Sequence, residues 1–378
     1  MPLNTIPNKG LTSRGYPSDR LVTPIIINGD MSVAQRATSK TGITSTSYNT
    51  VDRYRVGVSG FGTWTQSQDT DVPTGEGFAK SLKMDCTTAS GPDAAGSVLY
   101  HVQYVEAQNL QMLKFGTSNA EYITLAFWVK TNITGTYTVE IESPDSGRHI
   151  CGTYTVNASN TWEKKILSFP GDTTGSITND NGRGFEIFWW LGAGSEFTSG
   201  TLATSWASQT AGNRVSSSQA NIASSTDNNF WITGVQLEVG EFDSTTLPSF
   251  PFESYESNLR KCQRYYENHT ANGSANIGHA YNTTQARTYF QYRTKKRAAP
   301  TITLATAGNG DGEISFLTKG GAYVGTIGTH TPLNVAIDRF NISVNSGTYS
   351  STGWNEGDAL FFYTNGNNYV IWEADAEL

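Results

Sequence analysis

Between Ile25 and about Val239 the apolar residues recur at every second position, and no helical period interrupts them. In EYITLAFWVK one face carries Ile123, Leu125, Phe127 and Val129, and the other carries Tyr122, Thr124, Ala126 and Trp128. GTYTVEIE sets Tyr137, Val139 and Ile141 against Thr138, Glu140 and Glu142. GFEIFWWL separates Phe185, Ile187, Trp189 and Leu191 from Glu186, Phe188 and Trp190, and WITGVQLEV aligns Trp231, Val235, Leu237 and Val239. Successive strand side chains point to opposite faces, so each segment has one face to bury. Turn-forming clusters such as NDNGRG fall between the segments. Parallel strands would need crossovers of about a dozen residues, usually helical, and none can be read. The pattern predicts an all-β chain with an antiparallel jelly-roll sandwich over residues 28–249.

One helical pattern comes after it. In FPFESYESNLRKCQRYYEN the residues Phe252, Tyr255, Leu259, Cys262 and Tyr266 are spaced three or four apart, a narrow apolar stripe. Ser254 suits an N-cap, Glu253 and Glu256 the first turn, and Arg260, Lys261 and Arg264 the end. The spacing predicts a linking helix within residues 250–268, lying on a sheet or pairing with copies of itself. Strand patterns then resume in ARTYFQYRTKK, PTITLAT, EISFLT, NVAIDRFNISV, ALFFYT and YVIWEA, with hairpin turns expected at Asp311-Gly312 and Asn365-Gly366. They define a second, smaller β domain over residues 269–378.

Before the jelly roll, Pro2, Pro7, Pro17 and Pro24 punctuate residues 1–27. Proline blocks helix and removes ladder donors, so the segment reads as an extended arm. An arm without a core needs another surface. Its apolar residues Leu3, Ile6, Leu11, Tyr16 and Leu21 are the candidate docking contacts with another protein or subunit.

Charged residues make up 16% of the 378, and the formal charge is −7. A general nucleic-acid binder would show a basic stripe instead. Cys86, Cys151 and Cys262 lie far apart, which suggests free thiols. No apolar run reaches the roughly eighteen residues a membrane span needs, and the N-terminus lacks signal-peptide grammar. These features suit a soluble protein made in a cytoplasm. There is no nucleophile elbow, P-loop or HExxH motif, and His101, His149, His269, His279 and His330 are dispersed. No catalytic residue and no metal centre is assigned. Cys262 falls on the buried stripe with no histidine placed to activate it.

Several segments, in order, carry a resemblance: NGDMSVAQR (28–36), YNTVDRY (48–54), VEAQNLQMLKFGTSNAEYITLAFWVK (105–130), FPGDTTG (169–175), FWITGVQLEVG, LRKCQRYYE and KKRAAPTIT. Together they resemble a family of bacteriophage virion proteins of the tail-fibre or minor structural type. The first half of that family is similar to carbohydrate-binding modules with a jelly-roll fold. The resemblance implies a non-enzymatic appendage of the tail or head, assembled in the host cytoplasm. The expected partners are other virion proteins, host surface glycan and, as a homotrimer, copies of itself. Two alternatives remain: a structural decoration protein, and a capsule depolymerase whose carboxylates converge from distant strands.

Sugar rings present C–H faces that stack on aromatic side chains, while carboxylates and amides take the hydroxyls. Off the apolar faces this chain offers Tyr122, Trp128, Phe188 and Trp190, with Glu186, Glu140 and Gln103 on neighbouring strand patterns. Tyr122, Trp128, Glu186, Phe188 and Trp190 are the candidate glycan contacts. The alternative is that loops, the arm or a neighbouring subunit bury them. No cofactor is expected, although Asp30 and Glu238 could share a structural Ca²⁺.

Overall fold

The computed structural model describes residues 24–282, 285–304, 314–318, 321–323, 330–345 and 356–378. The candidate docking residues Leu3, Ile6, Leu11, Tyr16 and Leu21, and the expected turn at Asp311-Gly312, lie outside the described residues.

The chain is all-β, and every strand pairing in its sheets is antiparallel among the described residues. The first thirteen strands are β1 (Ser39–Ile43), β2 (Ser47–Tyr48), β3 (Arg55–Ser59), β4 (Thr63–Asp69), β5 (Ser81–Thr88), β6 (Val98–Glu106) and β7 (Ile123–Thr131), then β8 (Gly135–Ser143), β9 (Arg148–Val156), β10 (Glu163–Phe169), β11 (Arg183–Ala193), β12 (Ala207–Ser208) and β13 (Asn229–Val239). A six-stranded sheet runs β1-β4-β5-β13-β7-β10, and a seven-stranded sheet runs β12-β9-β8-β11-β6-β3-β2. Their inner faces meet in one core that includes Phe127, Val129, Ile141, Phe185, Ile187, Trp189 and Phe230. These are the inward positions that the two-residue period picks out.

One alternation does not survive. Trp231 and Val235 have the same parity, yet Val235 joins the core while Trp231 sits on the outer face with Lys83 and Lys130, its cross-strand partners. A bulge between Thr233 and Gln236 shifts the register. Gly234, at φ 63°, takes the left-handed conformation the bulge requires. One extra residue reverses the facing of everything before it.

The helix is α2 (Tyr255–Gln263), after a short α1 (Ser195–Thr198). Ser254 caps α2, its hydroxyl accepting from Ser257 N–H. The apolar stripe is shorter than its spacing predicts. Phe252 and Tyr255 are 52% and 59% exposed, and the buried positions are Asn258, Cys262 and Gln263. Asn258 Nδ2 donates to Asn28 Oδ1, Asp30 Oδ1 and Ser32 Oγ, at 3.2, 3.0 and 3.0 Å. The helix is thus seated on the jelly roll of its own chain through a polar anchor.

Eight more strands complete the chain: β14 (Tyr266–Asn282), β15 (Gln285–Gln291), β16 (Thr301–Leu304), β17 (Ile314–Thr318), β18 (Gly321–Tyr323), β19 (His330–Leu333), β20 (Arg339–Asn345) and β21 (Ala359–Asp375). They form a third sheet ordered β18-β17-β21-β14-β15-β20-β19, with β16 paired to β21. Asn365-Gly366 is not a hairpin turn: it falls inside β21, where the register on β14 slips between Thr364 and Tyr369. Because β14 begins at Tyr266, the third sheet starts inside the segment read as linker.

The root of this sheet is fastened to the jelly roll. Gln35 Nε2 donates to Tyr266 O at 2.8 Å, and Asn268 Nδ2 to Gln35 O at 2.7 Å. Arg53, almost wholly buried, pairs with Glu377 and lies 3.4 Å from the centre of the Tyr265 ring. Arg264 holds Glu106 through two bonds of 2.7 and 2.8 Å.

Candidate functional site

The five candidate glycan contacts lie on opposite sides of the sandwich. Trp128 belongs to the outer face of the six-stranded sheet and Tyr122 immediately precedes its strand β7, whereas Glu186, Phe188 and Trp190 belong to the outer face of the seven-stranded sheet. They are not one site.

The seven-stranded side is covered. Phe188 is 4% exposed and Trp190 fully buried, in a second cluster with Val102, Tyr104, Val215, Tyr265 and Leu378. The connection from β11 to β13 folds back over them, placing Phe197 of α1 5.4 Å from the Trp190 ring. Beneath it, Glu140 accepts from Arg214 Nε on both oxygens (2.9 and 3.0 Å) and from Trp190 Nε1 (3.1 Å), and meets His149 Nδ1 at 2.9 Å. Glu140, His149 and Cys151 lie close enough to suggest a metal site. Here the carboxylate is already satisfied by an arginine, an indole and an imidazole, so the group reads as a buried ionic network. Gln103 turns inward and holds both backbone groups of Ile27.

Glu186 is directly opposite Glu142 on β8. Burial first, then the neighbouring Glu186 and Glu140, push the Glu142 carboxyl up to about 7 against the pull of Arg214. Glu186 itself is tied to Arg183 at 2.8 Å. Glycan access to Phe188 and Trp190 is therefore corrected. Those rings pack, because a connection of more than thirty residues lies on them.

The six-stranded outer face is open in part and differently built. In one row across β5, β13 and β7 stand Lys83, Trp231 and Lys130. The lysine Nζ atoms lie 5.1 and 5.0 Å from the centre of the Trp231 ring. Trp231 Nε1 donates to Asp69 at 3.0 Å, and Trp162 Nε1 to Asp71 at 2.9 Å, with Lys130 on the other Asp71 oxygen at 2.6 Å. Desolvation would raise the Asp69 carboxyl, but the Trp231 N–H, two backbone N–H groups and Lys83 hold it below its ordinary value. Two carboxylates thus lock the orientation of two indoles.

One row further along the strands, Trp128 is half-buried against the bulge. A Cβ added to Gly234 would lie 2.6 Å from the Phe78 ring and 3.0 Å from Trp128. Both rings therefore close over the glycine. Phe78 extends the surface to Phe250 and Phe252, the three centroids lying 4.8–5.1 Å apart. Phe252 is the most exposed of them. Trp162, Trp128 and Phe252 present partly open aromatic faces, with Asp71 and Lys130 able to bond hydroxyls. Tyr122 is 42% exposed, but it precedes β7 and lies six residues from Trp128 along the chain, about 20 Å at strand spacing.

Sequence reasoning missed Phe78, Trp162, Phe252 and the outward facing of Trp231. The glycine inside WITGVQLEV was the signal for the last, since an isolated strand glycine suggests a bulge. Phe78 and Trp162 lie in connections, where no period marks a face.

Asp30 and Glu238 do line one cavity. Asp30 Oδ1 already accepts from Ser32 N–H, Ser32 Oγ and Asn258 Nδ2, the bonding of a loop cap rather than an oxygen kept for calcium.

No family model matches the chain, and no curated protein matches it. Among solved structures it is similar to the enzymatically active domain of tailspike protein 4 of bacteriophage CBA120 (14% identity, TM-score 0.30, over 57% of this chain and 21% of that one). It is also similar to a putative sugar-binding protein from Bacteroides thetaiotaomicron (10%, TM-score 0.30, 57% and 100%). A third is the CBM22-2 xylan-binding domain from Paenibacillus barcinonensis (16%, TM-score 0.26, 50% and 91%). The chain spans about a fifth of the length of the tailspike chain it matches. Likenesses at TM-scores of this size do not establish a shared activity.

Proposed function

We propose that this chain is a non-enzymatic bacteriophage virion appendage protein that binds host surface glycan across the outer face of its six-stranded sheet. The observation that carries the binding half is the aromatic surface of Trp162, Trp128, Phe78 and Phe252, whose neighbouring indoles are oriented by Asp69 and Asp71. Partly open aromatic rings edged with fixed polar groups suit a sugar ring better than a protein core. The virion half rests on the ordered sequence segments that resemble phage tail-fibre and minor structural proteins. In this reading residues 1–27 dock on the particle. The homotrimer rests on the same resemblance, since α2 spends its buried side on its own jelly roll. No helix among the described residues is long and apolar enough to cross a membrane.

The test is adhesion of purified protein to host cells and to their isolated polysaccharide. Phe252→Ala and Trp128→Ala should each weaken binding about fivefold or more, by analogy with the roughly 1–3 kcal/mol of base–aromatic stacking. Protein that joins particles yet binds no host glycan would leave only a structural decoration role. Light scattering near three times 41.0 kDa supports the trimer, and a persistent monomer rules it out.

A further inference from the structure

The Trp128 ring has one side closed by its own sheet and one side open. Towards β13 it meets the bulge, where Gly234 and Phe78 fill the space beside it. Towards β10, the edge strand of the six-stranded sheet, its cross-strand partner is Lys164. Such partners share a face, with Cβ atoms about 5 Å apart. Leu167 and Phe169 of the same strand go to the core, which agrees with an outward Lys164. Two residues before it on the outer side, Trp162 bonds Asp71.

The other lysines of this face have acids beside them. Lys83 lies 3.8 Å from Asp85, and Lys130 is bound to Asp71 at 2.6 Å. Lys164 is exposed and, among the described residues, makes no hydrogen bond or ion pair. The nearby carboxylates are already engaged: Asp71 by Lys130 and Trp162, Asp69 by Trp231. Glu163, next to Lys164 in sequence, accepts from the N–H groups of Asn157 and Ala158 and from Lys165. A lysine on an edge strand also discourages pairing with another sheet, but that role needs no aromatic neighbour. Here a free ammonium on a flexible stem stands at the open side of a partly open indole. The chain as a whole carries −7, so an anion attracted to this face must be held by local charge.

Resting on the glycan-binding reading, we infer that this face selects a sugar ring bearing a carboxylate, a hexuronic acid, with Trp128 under the ring and Lys164 on the acid group. The bulge and Phe78 close the β13 side, so the charged substituent projects over β10. The aromatic surface binds acidic and neutral rings alike, and Lys164 ranks the acidic ones higher. Esterification removes the charge and with it the preference.

Calorimetry on the full chain at neutral pH and low salt tests this with matched tetrasaccharides. The pairs are β-1,4-glucuronate against β-1,4-glucose, β-1,4-mannuronate against β-1,4-mannose, and α-1,4-galacturonate against its methyl ester. In any pair that binds, the acid should bind about tenfold more tightly, as a charge-assisted bond allows. Salt at about 0.5 M should shrink that margin. Lys164→Gln should erase the margin and leave neutral binding and the unfolding midpoint unchanged, while Lys164→Arg should keep most of it. Trp128→Ala should weaken acid and neutral members by a similar factor. Equal binding within every pair by wild-type protein overturns this inference alone, and binding of none overturns the glycan reading itself. An acid preference that survives Lys164→Gln also overturns the assignment and leaves Lys164 only guarding the sheet edge.

Discussion

The two outer faces of the jelly roll are built from similar residues and end in opposite states. On the seven-stranded side, Phe188, Trp190, Glu140 and Glu186 alternate outward, as glycan contacts would, yet the β11–β13 connection, Tyr265 and Leu378 close over the aromatic pair. On the six-stranded side, Trp128, Trp162 and Phe252 stay partly open, and among the described residues the short segments around Asp71, Phe78 and Phe250 approach them without covering them. Alternation tells which side of a sheet a residue faces. What then lies on that side is decided by connections running elsewhere in the chain.

The comparison predicts large stability effects on the covered side and small ones on the open side. Glu140→Ala removes the buried carboxylate that Arg214, Trp190 and His149 share and should cost about 3–5 kcal/mol in denaturant unfolding. Trp190→Ala should cost a similar ~3–5 kcal/mol through cavity formation, with glycan adhesion by the remaining folded protein unchanged. If either variant unfolds like wild type, the cover over that face is not closed.

An intermediate effect belongs to the bulge. Gly234→Ala forces a Cβ against Phe78 at a left-handed φ and should cost about 1–3 kcal/mol. It should also loosen Phe78 and Trp128 and weaken adhesion. Stability lost without any loss of adhesion would separate the bulge from the binding surface.

The pH response sharpens the contrast further. The Glu142 carboxyl is raised from 4.5 to about 7 in the folded chain, so the unfolded chain releases this proton more readily. Its contribution is complete below pH 4.5 and is lost as pH rises towards about 7. Glu142→Gln should flatten the stability–pH curve across that window, measured by urea midpoints. A curve of unchanged slope would show Glu142 to be in contact with water. At the small end, Phe252→Ala should move stability by less than about 0.5 kcal/mol, as an exposed position does, while lowering adhesion.

Much of the fold was legible. The inward rows of β7, β8 and β11 follow from their alternation, and Ser254 caps the helix where the pattern places it. Three features were not. Gly234 reverses the facing of Trp231, a one-residue event that a two-residue period cannot register. Asn365-Gly366 has the composition of a turn but is taken up in a register slip of β21, where strand pairing outweighs local preference. The burial of Phe188 and Trp190 comes from a connection rich in Ser, Gly and Thr, which has no period to follow. Of the candidate site, Trp128 was found, and its partners Phe78, Trp162 and Phe252 were not, because a site assembled from connections leaves no pattern on any one strand.

The most direct test uses the nine tryptophans themselves. With indole-¹⁵N tryptophan, each Nε1–H gives a signal assignable by substitution, and host polysaccharide can be titrated against all of them at once. Binding on the six-stranded face predicts that the signals of Trp128 and Trp162 shift with saturation, while those of Trp64, Trp189 and Trp190 stay in place. Shifts at Trp190 without any at Trp128 or Trp162 would contradict it.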